Sequence, residues 1–299
     1  MATDLRAAWG YGLAGFALLS VGDSVIKSMA GEWPGTAVAA LRFALGALGL
    51  GVLLFWHEGA AGFRAPRLML QMARGVALAL ASLFFFLAIF VMPLAEATAI
   101  QFVNPMITAL LSLLLFGERI GRTAWGAICL AFAGVMIVLR PNVAELGWAA
   151  ALPLAAALGM AALMILNRRT QGDVSALAAQ FFVAAFATPP LLLAALAGHA
   201  SGLPALTIDA PGLSVVLRCA GVAASASLAH ALIYLATTRA SAAAIAPTVY
   251  VQIVAATIIG IGWFGDWPDA VAVAGTAIII AAGLWLWYGS RAGGQEGQG

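Results

Sequence analysis

The sequence predicts an all-α membrane protein, with ten transmembrane helices arranged as two five-helix inverted-topology repeats. Three observations carry that prediction. Of the 299 residues, 64% are hydrophobic and 9% charged, with a mean hydropathy of +1.03. Soluble domains carry about 25% charged residues, so lipid must be the solvent here. The apolar residues fall into ten runs, each near the roughly 20 residues that cross a bilayer core as a helix. One stretch also occurs twice, about 148 residues apart: AEATAIQFVNPMITALLSLLLFGE at 95–118 and AAIAPTVYVQIVAATIIGIGWFGD at 243–266. Phe116-Gly117-Glu118 falls on Phe264-Gly265-Asp266 and Asn104 on Gln252. After one inserted residue, Gly126 and Gly134 fall on Gly275 and Gly283.

Cutting at charges and Pro/Gly clusters gives spans near 7–29, 36–56, 68–91, 95–116, 122–140, 147–167, 175–197, 213–236, 241–264 and 268–289. The connections are short, leaving no room for a soluble domain, and the Gly-rich tail 293–299 reads as disordered. Residues 1–141 form the first repeat and 142–299 the second. Alternate loops differ sharply in positive charge. One side holds Arg6, Arg64, Arg67, Arg119, Arg122, Arg168, Arg169, Arg239 and Arg291, while the other holds Arg140 alone. The positive-inside rule then puts both termini in the cytoplasm. Lys27, Arg42, Arg74 and Arg218 fall within span limits. Five spans per half make spans 3 and 4 antiparallel to spans 8 and 9, the arrangement by which transporters build two gates around one midplane site.

Polar side chains are costly in hydrocarbon, so their helical phase points to water, substrate or a neighbouring helix. Span 1 carries Ser20, Asp23, Ser24 and Lys27. Asp23 and Lys27 are one turn apart and read as an ion pair, either structural or an ionic contact at an outer gate. Span 3 has Gln71, Arg74 and Ser82, then Phe84-Phe85-Phe86. In span 4, Thr98, Gln101, Asn104, Thr108 and Ser112 recur at helical spacing on one face. Span 8 places Ser227, His230, Tyr234 and Thr237 on one face, and span 9 offers Thr248, Tyr250 and Gln252. Such stripes serve either as interhelical hydrogen bonds or as cavity lining. The candidate cavity residues are Ser82, Phe86, Gln101, Asn104, His230, Tyr234, Tyr250 and Gln252. Pro105 and Pro247 interrupt spans 4 and 9 and are candidate hinges. Spans 5 and 10 have few polar residues and read as peripheral, facing lipid or a second copy in a weak homodimer. Most tryptophans lie near run ends, as interfacial belts do.

Several function classes lose support. The net charge of +2 suggests no nucleic-acid partner. Cys129 and Cys219 sit in apolar runs as small buried hydrophobes, without a disulfide. No phosphate-binding G-x-x-x-x-G-K-[ST], H-E-x-x-H, G-x-S-x-G or metal-spaced Cys/His set occurs, so no enzyme activity, cofactor or metal is expected. No cleavable signal peptide is evident.

The run from Asn104-Pro105 to Phe116-Gly117-Glu118-Arg119, followed by a helix bearing Gly126 and Gly134, resembles the repeat signature of the EamA-type drug/metabolite transporter superfamily. In the second half Gln252-Ile253 replaces Asn-Pro and Asp266 replaces the glutamate. The resemblance implies a bacterial inner-membrane exporter of small metabolites, nearest to amino-acid exporters including those for aromatic amino acids. The partner is then a small-molecule substrate, and the mechanism alternating access around a central cavity. Neutral hydrogen bonders beside aromatic walls suit an amino acid, but also purines or cationic drugs. An arginine cluster for phosphate is not apparent at midplane, since Arg74 and Arg218 lie near opposite span ends. A channel or scaffold without a transport cycle stays open as another class.

Overall fold

The structure, a computed structural model, describes residues 2–117, 121–170, 172–240 and 245–296. Glu118 and Arg119 of the first acidic turn lie outside them, as do the side chains of Arg140 and Arg291. Ten helical segments have the length and composition to cross a membrane: Leu5–Lys27, Gly35–Phe63, Leu68–Val91, Leu94–Phe116, Arg122–Leu139, Gly147–Arg169, Ala176–Ala200, Leu213–Arg239, Pro247–Phe264 and Ala270–Tyr288, here spans 1 to 10. An even number puts both described ends on one face of the membrane. The last helix continues to Glu296, so 293–296 of the tail read as disordered are helical, and 297–299 lie outside the described residues.

Local chemistry sets several boundaries. The Ser175 hydroxyl accepts the Ala178 N–H at 3.0 Å to start span 7, and an Asp269 carboxylate oxygen accepts that of Ala272 at 2.6 Å to start span 10. Both satisfy amides that a helix start leaves unpaired. Spans 4 and 9 end on Gly117 and Gly265, at φ 65° and 69°, the left-handed cap that glycine adopts without strain.

Spans 4 and 9 are both broken. Span 4 consists of two helices, Leu94–Gln101 and Asn104–Phe116, joined at Phe102-Val103. Span 9 runs as a 3-10 turn (Ala246–Tyr250), an α-helix (Val251–Ile259) and a π-type turn (Gly260–Phe264). Pro105 is the second residue of the helix after the break in span 4, and Pro247 the second residue of the 3-10 turn that opens span 9, positions where a missing N–H costs nothing. On either side of the break Thr98 and Ser112 are buried and Gln101, Asn104 and Thr108 half-buried. Pro189 and Pro190 lie inside the unbroken span 7 helix.

Span 1 packs most extensively on span 8, and span 3 on span 6. Span 2 packs on 7, 5 on 10, and 4 on 9; span 1 also meets 9 as 4 meets 6, and 2 meets 8 as 3 meets 7. Exchanging span n with span n+5 turns each of these pairings into another or itself. Small residues make the closest crossings, as in many membrane bundles. A Cβ on Gly15 would sit 2.9 Å from the Ala229 carbonyl oxygen (spans 1 and 8), and one on Gly159 2.7 Å from the Ala81 nitrogen (spans 6 and 3). Gly134 and Gly275 oppose each other between spans 5 and 10, each Cβ 2.9 Å from the other's carbonyl oxygen. The glycine faces of those two spans thus meet within one chain.

Large exposed apolar side chains face outward, among them Trp56, Trp148 and Trp267 at span ends, where an aromatic belt belongs. Cys129 is exposed and only Cys219 buried, which corrects the reading of both as buried.

Candidate functional site

Span 1 brings Ser20, Asp23 and Lys27 to the interior along successive turns. The Ser20 hydroxyl donates to the Gln252 carbonyl at 3.1 Å, and the Gln252 side-chain amide donates to Asp23 at 3.3 Å. Asp23 of span 1 and Gln252 of span 9 therefore meet. Lys27 does not pair with Asp23 as the spacing suggested. Its ammonium lies 2.5 Å from the Asp266 carboxylate, donates to the Met92 carbonyl at 2.9 Å, and sits 5.0 Å from the Phe264 ring centroid. Helical spacing alone favoured the intrahelical pair; packing of span 1 on span 9 brings a nearer acid from the loop after it.

The charge that faces Asp23 is Arg42, in span 2. Arg42 lies within electrostatic range of Asp23, Cys219 and His230. Its guanidinium stacks 4.2 Å from the Phe43 ring, and its Nε is buried without a hydrogen-bond partner. Arg42 is a functional candidate that its place within a span alone does not single out. The available signal was the same one used for Asp23, a charge inside an apolar run.

His230 donates from Nδ1 to the Ala226 carbonyl at 2.7 Å, one turn back on span 8, leaving Nε2 for another partner. Protein surrounds the ring on most sides, yet the side chain is exposed to a water-sized molecule. Those two facts coexist for a group lining a cleft. Tyr234, one turn further along the face, is 54% exposed.

The other sequence candidates lie elsewhere. Asn104 donates to the Gln101 carbonyl at 3.1 Å and its own carbonyl accepts from Thr108 at 2.8 Å. The amide thus fastens the break in span 4. Phe86 is buried in the main core beside Phe85. Tyr250 packs on Phe102 at a 5.8 Å centroid distance, and its hydroxyl lies 1.7 Å from where a Cβ of Gly283 would be, so it points at span 10. Ser82 is half-buried on span 3.

Polar fastenings flank the centre on both membrane faces. On the face opposite the termini, Arg218 of span 8 donates to Ser28 (carbonyl 3.1 Å, hydroxyl 3.2 Å) and pairs with Glu32. That hydrogen bond holds the Glu32 carboxyl below the usual carboxylate range. On the other face, Arg74 of span 3 donates to Asn167 at 2.7 Å and to Gln71 at 2.5 Å, and Arg67 pairs with Asp173 at 3.1 Å. Arg169 sits 4.7 Å from the Phe116 ring centroid, as Lys27 does near Phe264. An apolar groove of about 470 Å³ between spans 2 and 7, lined by Leu48, Phe55, Trp56 and Phe181, faces lipid and lacks such chemistry.

Residues 8–140 match the EamA-like transporter family. A transporter of Helicobacter pylori, described as uncharacterized, is 30% identical over 69% of this chain and 68% of its own. An S-adenosylmethionine uptake transporter of Rickettsia felis is 24% identical over 93% and 92%. A pseudopaline exporter of Pseudomonas aeruginosa is 28% identical over 88% and 89%. A solved crystal structure aligns with 96% of this chain and 98% of that one, at a TM-score of 0.61 and 20% identity, a likeness of fold. With ten membrane-crossing helices, the chain belongs to the EamA-like transporter family, as a multi-pass membrane transporter of small metabolites.

Proposed function

We propose that this protein exports an amino acid, with aromatic ones favoured, across the bacterial inner membrane from a cytoplasm that holds both termini. It works by alternating access between two inverted five-span halves, residues 1–141 and 142–299. The observation that carries this reading is the polar centre of Asp23, Arg42, Gln252 and His230, lying between matched fastenings on opposite membrane faces.

That matching supports the inverted repeat. Arg74 and Arg218 each sit one to two turns into span 3 or 8 and reach the end of span 6 or 1. The pairs Arg67–Asp173 and Arg218–Glu32 follow the same exchange, as do the cation–ring contacts Arg169–Phe116 and Lys27–Phe264. Two packed halves with fastenings at either end are bistable: loosening one face while holding the other exposes the centre to one side. Pro105 and Pro247, at the breaks of spans 4 and 9, serve as hinges. A substrate that binds differently in the two states is what such rocking requires.

The relatives' named cargoes support a small polar metabolite, and S-adenosylmethionine ends in an amino-acid head group. Their names include both uptake and export, so direction rests on the resemblance to amino-acid exporters. Asp23 would also suit a cationic drug, and the amides a purine. Flux into liposomes of amino acids, purines and cationic dyes, repeated with Gln252→Ala and His230→Ala, tests the reading. Amino-acid flux that falls about tenfold or more in both variants, as loss of one hydrogen bond to a charged group would give, is the expected result. A nucleobase or dye moving while no amino acid does would refute the substrate.

A further inference from the structure

Spans 1 and 2, where they pack on span 8, bring two ionisable groups of opposite sign, Asp23 and Arg42, to the interior of the bundle, and the bonding of both is incomplete. Arg42 Nε is buried and unpartnered. Asp23 is held by one amide contact of 3.3 Å, at the long end for a hydrogen bond to a carboxylate. A buried guanidinium cannot shed its proton, and a buried donor without an acceptor is destabilising. The expected remedy is a direct Asp23–Arg42 hydrogen-bonded pair. No such bond forms, although the two groups lie within electrostatic range.

Small residues stand near both groups where their helices meet span 8. A Cβ on Gly22 would stand 3.5 Å from the Ser225 hydroxyl, and one on Gly46 3.7 Å from the Ala223 methyl. Gly46 lies one turn from Arg42 and Gly22 beside Asp23 in the chain, so spans 1 and 2 come close to span 8 next to both groups, while the Phe43 ring covers one side of the guanidinium. His230 and Tyr234 continue the same side of span 8 past Ala223, and both are exposed.

We infer that Asp23 and Arg42 form a head-group site for a zwitterion: Arg42 takes a carboxylate and Asp23 an ammonium, with the remainder of the molecule lying along His230 and Tyr234. This rests on the transport reading above and deepens it. With Asp23 ionised against a bound ammonium the site is neutral overall, so a net-neutral zwitterion docks without leaving an excess charge in the membrane interior, which is costly. A guanidinium offers paired donors that match a carboxylate, and an ammonium replaces the weak Gln252 contact. Anions and cations each satisfy one half and leave the other unmatched.

The test uses the full-length protein. Liposome flux of the twenty proteinogenic amino acids identifies the fastest mover in the unaltered protein. The ligand-induced rise in melting temperature is then titrated in detergent with that amino acid, its methyl ester and its N-acetyl derivative. The unaltered protein should bind the amino acid about 10- to 100-fold more tightly than either derivative, the effect of losing one charge-assisted contact. Arg42→Gln should erase the advantage over the methyl ester and keep the disadvantage of the N-acetyl form, while Asp23→Asn does the reverse. Arg42→Lys, which keeps the charge, should fall between and guards against a fold defect in Arg42→Gln. Loss that is equal for all three ligands in both variants would make the pair structural and overturn the proposal. If no amino acid moves while a purine or dye does, the amino-acid reading and this site fall together. If amino acids move and the derivatives bind as well as the parent, this site alone falls.

Discussion

Phe86 and His230 show how far one residue type's position decides its role. Phe86 is 5% exposed in the core, so Phe86→Ala removes packing rather than a cavity wall. It should lower stability by about 3 to 5 kcal/mol, read as a fall in melting temperature, with the substrate preference of surviving protein unchanged. A shift in preference at constant stability would place Phe86 in the pathway after all. Glu32 gives a pH-dependent counterpart outside the membrane. Its carboxyl is held below its ordinary range by the Arg218 hydrogen bond. A depressed carboxylate stabilises the fold above its unfolded pKa of about 4.3, and that contribution disappears as pH falls through the folded value. The melting temperatures of the unaltered protein and Glu32→Gln should therefore differ near about pH 6 and converge near about pH 3. Parallel curves would show that the pair contributes nothing. At this scale the sequence exposed Asp23, Gln252 and His230 as polar residues in apolar runs. It could not show the partners of Lys27 or the company of Arg42, because those come from helices distant in the chain.

Spans 5 and 10 were legible as a pair of weakly polar, glycine-bearing helices, but whether they faced lipid, a second copy or each other was not. Their glycines place backbone against backbone, so Gly134→Leu should lower the melting temperature more than Gly10→Leu, since a Cβ on Gly10 meets nothing within 4 Å. Equal effects would mean that spans 5 and 10 tolerate separation. The interruption of span 4 was foreshadowed by Pro105, yet the 3-10 and π-type turns of span 9 were not, because a proline marks where a helix is disturbed and not the turn that replaces it. The arginine fastenings lead to opposed predictions. Arg218→Ala should favour opening of the face opposite the termini and Arg74→Ala opening of the other. Losing these hydrogen bonds should shift the population about 2- to 10-fold. Side-specific labelling of a cysteine at position 230 measures it, and a shift in the same direction for both variants would contradict the assignment.

At the scale of the whole molecule, ten spans, the internal repeat and the family were readable from apolar run length and the Phe-Gly-acid turns, since bilayer thickness and repeat spacing act along the chain. The centre was readable only in part, because it is assembled from spans 1, 2, 8 and 9, and only packing brings them together. Proton coupling would have to pass through Asp23 or His230 of that centre; for an uncoupled carrier, flux by purified protein should persist in liposomes without a pH gradient, and strict dependence on one would overturn this. The central claim is that the Asp23–Arg42–Gln252 centre opens alternately to the two sides. Its most direct test is side-specific labelling of Gln252→Cys, in protein lacking Cys129 and Cys219, by a membrane-impermeant maleimide in oriented vesicles. Labelling from either side, with saturating substrate shifting the balance between sides, is the predicted result; protection from both sides in every condition would show that the centre is packed core and contradict the account.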